Sequence, residues 1–487
     1  MYITTSDYLS FRQCPKLFSL SVHLPDTLSS KKDTHMYEKE LRLPSLFQQR
    51  FPGGTLVPSH LSKEEKVTQT RFLIDSGISI IYQAAFEWEG LFIEWDVMMK
   101  RNDGWSFYGL ASSTKPTERH IDNLSFRTYV TIAQIQPDSI YLAYVNNAYV
   151  REETIDVRSL FHIQDMTATM IEQVDNVPVS VAQMKKIKAG GNIDQEIGEY
   201  CLKYGKEPLE CPAKNHCWAH VPAYSVFNLA RIGKKAFDLA HNGILSLDDI
   251  PESYTLTANQ RSQVMAHQQQ TSLLDQKQLH TFLKSFSYPL YFLDFETCQH
   301  PVPLFSGTRP YQQLPFQYSL HILDQPDANL IHLEHLAKEG KDPRRSLAEQ
   351  LVKDIPAHVT TVAYNMSFEK MILRQLAEDF PDLSFHLLSI HDGMLDLMVP
   401  FQKKWFYTPE MKGSYSIKYV LPALFPNDEM LDYQRLTIQN GSMAMDIYAT
   451  LHTRSTEEIR QIRQDLLAYC QLDTYAMIKI WHYLSKM

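Results

Sequence analysis

The chain has no apolar run approaching the ~18 residues that a membrane-spanning helix needs. Its opening, "MYITTSDYLSF", lacks a basic segment leading into an apolar one. Both absences disfavour helix-anchored and secreted classes, and the expectation is a soluble cytoplasmic protein with no membrane partner. Positive charge is short as well: the net charge is −9 over 487 residues. That disfavours a protein coated in nucleic acid. A local basic groove on an acidic body remains compatible, because steering depends on local fields. No internal repeat occurs, and low complexity is limited to "HQQQ". Cysteine is sparse, with six residues and no C-x2-C pair. The close spacing of most structural zinc sites is therefore missing. In a reducing compartment the six thiols are expected to be reduced or metal-bound, not disulfide-linked.

What is present is ordinary globular material, 44% hydrophobic and 21% charged. At ~150 residues per domain this length predicts two to four units. Residues 1–80 mix short helical patterns with polar loops. From 80 to 150, "ISIIYQAAFEWEG", "LFIEWDVMMKR", "GWSFYGLASS" and "SIYLAYVNNAY" read as strands split by Gly, Asn and Asp, with a helical "DNLSFRTYVTIAQ" before the last. Helical spacing returns in "TATMIEQV". Residues 222–285 read as a polar helical connector. From 286 onward, strands such as "YPLYFLDFE", "QYSLHIL" and "TTVAYN" alternate with helices, the α/β pattern.

Cys201, Cys211 and Cys217 are spaced C-x9-C-x5-C in a Gly/Pro-rich loop, and Cys14 stands far upstream in "FRQCPKLF". Clustered thiols in such a loop are poorly placed as core residues. Soft thiolates favour zinc or an iron–sulfur cluster. Cys298 and Cys470 read as packing residues.

Carboxylates recur near the C-terminus. Asp294 and Glu296 in "YFLDFET" are two apart, hence on one side of a strand. A central strand ending in two acids is costly to bury without a cation. Asn365 and Glu369 in "AYNMSFEK", and Tyr469 and Asp473 in "YCQLDTYAM", are spaced i, i+4 and are expected on one helix face each.

These segments carry a resemblance. The early Cys-Pro with three late cysteines, enclosing a β-rich segment, resembles the RecB-like nucleases that carry an iron–sulfur staple, among them the CRISPR-associated exonucleases. "PLYFLDFET", "AYNMSFEK" and "YCQLDTYAM" resemble the three motifs of DEDD-type 3′–5′ exonucleases on an RNase H-like fold, the tyrosine marking the DEDDy subclass. Together with "GSYSIKYVLPALFP", the whole chain resembles a bacterial family fusing the two. The resemblance implies three parts. Residues 1–221 would be a RecB-like α/β domain of restriction-endonuclease type. Residues 222–285 would be a helical connector. Residues 286–487 would be an RNase H-like α/β domain with a mixed sheet.

It also implies a 4Fe–4S cluster on Cys14, Cys201, Cys211 and Cys217. Two Mg²⁺ or Mn²⁺ would sit on Asp294, Glu296, Glu369 and Asp473, with Tyr469 orienting water or phosphate. The third acid of the motif is normally Asp; the longer Glu369 is still a competent oxygen ligand. Asn365 and Lys418 would touch nucleic acid, and Asp396 would contact metal or phosphate. In the connector, "ARIGKKAFDLAHNGILSLDDIP" resembles a helix-hairpin-helix element, with Gly233, Lys234, Lys235 and Gly243 facing phosphates. An ordinary helix pair is the alternative.

The first domain departs from its family. Asp96 fits the first carboxylate of a PD-(D/E)xK site, but the Glu-x-Lys expected on the next strand is Gly109-x-Ala111. The family's helical Gln falls on Arg127, and His35 is a loose match to its upstream His. Lys115 lies beyond the strand, and Glu64-x-Lys66 lies in a helical stretch. The expectation is an inactive first site on a nucleic-acid-binding domain and a working second one, acting on DNA in preference to RNA. Two alternatives stand beside it. One is a catalytically inactive iron–sulfur binding or scaffolding protein. The other is a zinc-stapled enzyme acting on small nucleotides or oligonucleotides.

Overall fold

The computed structural model describes residues 2–29, 36–101, 104–191, 193–204, 211–326 and 328–487. His35 lies outside the described residues. The fold is mixed α/β, and its contacts divide into two units. One comprises Met1–Val221 with His300–Gln312, the other Pro222–Gln299 with Gln313–Met487. The expected connector is thus not a separate body. Residues 273–274 pair with 406–407, and Tyr224 Oη lies 2.5 Å from Tyr407 Oη, so the segment belongs to the second unit.

The first unit is built on a seven-stranded sheet. Its strands are β1 (Ile3–Thr4), β2 (Thr55–Leu56), β3 (Ile80–Trp88), β4 (Leu91–Arg101), β5 (Gly104–Ala111), β6 (Pro137–Val145) and β7 (Phe161–Asp165). They run in the order β2–β3–β4–β5–β6–β7, with β1 along the start of β4. The β3–β4 turn places Glu89 and Gly90 at φ 50° and 79°, the left-handed pair that a tight hairpin requires. Helices α1 (Thr5–Gln13), α2 (Pro15–His23) and α3 (Glu118–Ile132) follow the sequence expectations. Phe126 and Val130 of α3 bury against Trp95 and Phe107. Phe47, Phe51, Tyr82, Tyr108 and Val145 form a second cluster.

Cys14 is the hinge between α1 and α2. Its extended backbone (φ −162°, ψ 121°) ends one helix and caps the next, with Pro15 at the first helical position. Proline is suited there because that N–H would be unsatisfied anyway. The "CP" pair therefore fixes the thiol at a helix junction.

The second unit carries β8 (Leu273–Leu274), β9 (Leu290–Cys298), β10 (Leu314–Leu323), β11 (Ile331–Leu336), β12 (Thr360–Ala363), β13 (Met394–Asp396) and β14 (Phe406–Tyr407). Its main sheet has the order β11–β10–β9–β12–β13. β9, β10 and β11 are antiparallel, while β12 and β13 run parallel to β9. β9 is thus central, as its apolar "LYFL" requires. The strand continues past the acids to Cys298 instead of ending at them.

The functional helices of this unit are α4 (Lys235–His241), α5 (Ser367–Asp379), α6 (Ile417–Leu424), α7 (Gly441–Thr450) and α8 (Thr456–Leu484). α8 buries Leu466, Tyr469, Cys470, Thr474, Met477 and Trp481, a stripe at helical spacing. Around α4 the described residues show 3₁₀ turns at Val226–Asn228 and Leu247–Asp249 instead of a second α-helix before Gly233. This departs from the helix-hairpin-helix expectation. Lys234 and Lys235 are both exposed.

Candidate functional site

Three acids converge at the centre of the second unit. β9 presents Asp294 and Glu296 on one side, and α8 lays Asp473 over them. One oxygen from each lies within 4.8 Å of the others. Among the described residues Lys418 is the cation that opposes this clustered charge, and burial raises the pKa of each carboxyl. Asp294 is pushed well above the usual carboxylate range by burial, then by Asp473, Glu296 and Glu369. Glu296 is pushed up to about 8, again by burial first and Asp473 next. Asp473 rises less, to about 6: burial raises it, while hydrogen bonds from Tyr433 and Tyr469 and the charge of Lys418 oppose the rise. Lys418, exposed in the first turn of α6, also lowers Glu296.

Neighbours fix the donors. Tyr433 Oη donates to Asp473 Oδ1 at 2.6 Å, and its ring meets that of Tyr469 edge-on at 6.1 Å. Cys470 Sγ lies 3.8 Å from Asp294 Oδ2. Its expected packing role is thus joined to contact with an acid. Gly441 opens α7, where an added Cβ would stand 3.3 Å from Glu296 Oε2. The α7 N-terminus therefore approaches the carboxylate closely, an orientation that favours negative charge.

Glu369 is in the first turn of α5 and 4% exposed. It is not within 4.8 Å of all three other acids, yet its charge reaches Asp294 and Glu296. Its Oε2 is buried with no hydrogen-bond partner. Burial, then Asp396, pushes its carboxyl up to about 8. An orphaned buried oxygen beside three converging carboxylates fits a cation site, because leaving such a group unpaired is costly. Hard divalent ions with oxygen ligands match this donor set.

One expectation needs correction. Asn365 does not share a helix face with Glu369. α5 begins at Ser367, and Asn365 precedes it at φ 70°, a left-handed position that Asn tolerates. Asp396 was expected at metal or phosphate. Its Oδ1 accepts the backbone N–H groups of Asn365 and Met398, both at 2.9 Å, and so braces the turn that carries Glu369.

The four clustered cysteines line one small cavity with Lys16, Gln195 and Tyr200. None forms a disulfide. Burial pushes Cys201 up to about 11, with added repulsion from Cys14, Cys211 and Cys217. No three of the thiols lie within 4.8 Å of one another. Tetrahedral zinc at ~2.3 Å from each sulfur would draw them to about 3.8 Å apart. Four thiols around one cavity are a donor set that suits a thiolate-binding metal group.

The first-unit strand pair holds no such donor set. Asp96 Oδ2 accepts from Arg127 Nη1 at 3.0 Å and from the Leu110 N–H at 2.9 Å. A Cβ at Gly109 would meet Leu124 Cδ2 at 2.8 Å and Arg127 Nη1 at 3.6 Å. Ala111 is buried in the core. Lys66, in helix Lys63–Asp75, is paired with Glu94 at 2.8 Å, and Lys115 lies past the end of β5.

Residues 291–416, which include α5 and all of β9 but its first residue, match a family described as a domain of unknown function (DUF2779). The chain is 27% identical over 225 residues to "Uncharacterized protein UU173" of Ureaplasma parvum serovar 3, covering 42% of this chain and 32% of that protein. It is 25% identical over 206 residues to "Uncharacterized protein MG366" of Mycoplasma genitalium, covering 39% and 31%. The matched part thus spans about a third of the length of these curated relatives.

Proposed function

We propose that the second unit is a divalent-metal-dependent 3′–5′ exonuclease of the DEDDy type, acting on DNA in preference to RNA. The convergence of Asp294, Glu296 and Asp473 within 4.8 Å carries the reading. The antiparallel β9–β10–β11 meander, with parallel β12 and β13 beyond β9, supports an RNase H-like fold.

Asp294, Glu296 and Asp473, with Glu369 beside them, would hold two Mg²⁺ or Mn²⁺. When bound, such ions activate a water and stabilise charge on the leaving 3′ oxygen. The chain's own groups do the rest. Tyr433 fixes the orientation of Asp473. Tyr469, one turn before Asp473, supplies a hydroxyl for water or the scissile phosphate. Lys418 adds positive charge for the phosphate, and Asn365 lies close enough in sequence to Glu369 to contact the strand. Alignment by these groups lowers the entropy cost of reaction.

The first unit, on this proposal, is a RecB-like nucleic-acid-binding domain held by a 4Fe–4S cluster on Cys14, Cys201, Cys211 and Cys217, with its own nuclease site inactive. In the second unit, the exposed Lys234 and Lys235 are further phosphate contacts. A second reading, a catalytically inactive binding or scaffolding protein, is favoured by the separation of Glu369 from the acid trio.

Incubation with 3′- and 5′-labelled single-stranded DNA and RNA plus Mn²⁺ decides between them, beside the Asp294→Ala/Asp473→Ala variant. Shortening from the 3′ end that the variant abolishes supports the exonuclease. Binding without metal-dependent shortening supports the scaffold.

A further inference from the structure

A cavity of about 340 Å³ lies in the first unit, lined by Arg50, Arg101, Tyr108 and Tyr141 among apolar side chains. No carboxylate is among its described lining residues. Its volume is at the lower end of small-molecule sites.

Two of its polar atoms are left in need of a partner. Tyr108 is 1% exposed, and its buried hydroxyl makes no hydrogen bond of good geometry, though the Ser106 side chain stands close enough to lower its pKa. The Arg50 Nε is buried and unsatisfied too. Such groups are normally paired in folded proteins. Here two guanidinium groups and a phenol face one space, and each can donate.

The walls are held in place before any ligand arrives. Tyr108 and Tyr141 stack at 4.8 Å and 14°. Phe51 packs on Tyr108 at 4.7 Å, and the Arg101 guanidinium stands 5.9 Å from the Tyr141 ring centre. The segment bearing Arg50 is pinned by Tyr82, whose hydroxyl donates to the Phe51 carbonyl and accepts from the Gly54 N–H at 3.1 Å.

We propose that this cavity binds a phosphate group, with Arg50 and Arg101 clasping its oxygens and the Tyr108 hydroxyl donating a further hydrogen bond. Planar guanidinium forks match phosphate geometry, and the stacked tyrosines offer an apolar wall for an attached nucleoside. The site is independent of Asp96 and of the second-unit acids. Two sources share this chemistry: a free phosphate monoester and the phosphodiester backbone of a nucleic-acid strand.

The test uses the full-length protein in EDTA, in the Asp294→Ala/Asp473→Ala background so that oligonucleotides stay intact. Inorganic phosphate, dAMP and a single-stranded 12-mer are titrated calorimetrically. The Arg50→Lys/Arg101→Lys variant keeps the charge but loses the forks, and Tyr108→Phe keeps the ring but loses the donor. Circular dichroism and melting temperature check that each stays folded. We expect affinity to fall roughly tenfold or more in the double lysine variant and several-fold in Tyr108→Phe. Losses for dAMP and inorganic phosphate assign a free monoester. Losses confined to the 12-mer assign a strand backbone. The proposal is overturned if no probe binds the parent protein at millimolar concentration, or if folded variants bind as the parent does.

Discussion

Arg127 Nη1 stands 3.0 Å from Asp96 Oδ2, so a guanidinium occupies the carboxylate that faces Gly109 and Ala111 across the strand pair. The pair is more enclosed than a surface ion pair, at 20% and 16% side-chain exposure for Asp96 and Arg127. The Leu110 N–H completes the arrangement at 2.9 Å. Arg127, Gly109 and Leu124 therefore form one interlocked solution.

From this follows an asymmetric outcome for Asp96→Asn. Nuclease activity with Mn²⁺ stays at the parent level, because Gly109 and Ala111 supply neither a second carboxylate nor a lysine. Stability falls by about 1–3 kcal/mol, since Arg127 loses a charged partner in a partly buried setting. Parallel activity assays and urea denaturation read the two effects separately. A large loss of activity in the folded variant would return catalysis to the first unit.

The acids of the second unit behave differently. Asp294→Ala and Asp473→Ala each remove a donor from the converging trio. Activity should fall by more than the ~10–100-fold typical of losing an outer-shell partner. Tyr433→Phe is the finer probe. It keeps the ring beside Tyr469 and removes the hydroxyl that holds Asp473 at 2.6 Å. A fall of ~10–100-fold in kcat with little change in KM or melting temperature is expected. Steady-state kinetics on a labelled 3′ end measure it.

The degree to which these groups were readable follows from how local their placement is. Asp294 and Glu296 share a face because strands alternate, and Tyr469 and Asp473 are one turn apart because α8 is regular. Both follow from spacing alone. Asn365 was misread because a left-handed residue two positions before the helix breaks the i, i+4 register, and nothing in "AYNMSFEK" marks that. Tyr433 opens the 3₁₀ turn Tyr433–Arg435, just after another at Glu429–Leu431, with no periodic pattern, so only the folded chain brings it to Asp473. Gly441 offered a signal, a glycine after the N-cap Asn440, but not its neighbour Glu296. The sheet order needs pairings between distant segments, which no local pattern carries. The Gly109/Ala111 departure was legible, but the use of Arg127 to replace the missing partner required the α3–β4 packing.

The cysteines make a prediction about colour and metal content. Protein purified without oxygen should be brown and contain about four iron atoms per chain, the stoichiometry of the proposed cluster. Cys201→Ser should lose the absorbance and lower the melting temperature, because metal binding at a site absent from the unfolded chain is coupled to folding. Iron assay and a visible spectrum suffice. Stoichiometric zinc without iron would exclude the cluster.

The last prediction concerns pH. Glu296 and Glu369 are raised to about 8 and Asp473 to about 6, with burial as the leading cause in each. In the unfolded chain these groups titrate near 4. The metal-free folded state therefore binds protons that the unfolded state has released. Its associated stability is full below pH ~4 and is lost as pH rises through about 6 and then about 8. Each proton held only by the folded state contributes at most ~1.4 kcal/mol per pH unit. A divalent cation acts in the opposite sense, since it binds the deprotonated carboxylates and competes with protons. The rise in melting temperature on adding Mn²⁺ should thus be small at pH 5.5 and larger at pH 8. Asp294→Ala/Asp473→Ala should flatten both the pH dependence and the Mn²⁺ response. Thermal melts in EDTA and in Mn²⁺ across this range measure the effect. An Mn²⁺ shift that is independent of pH, or that survives in the double variant, would place the cation elsewhere than on these acids.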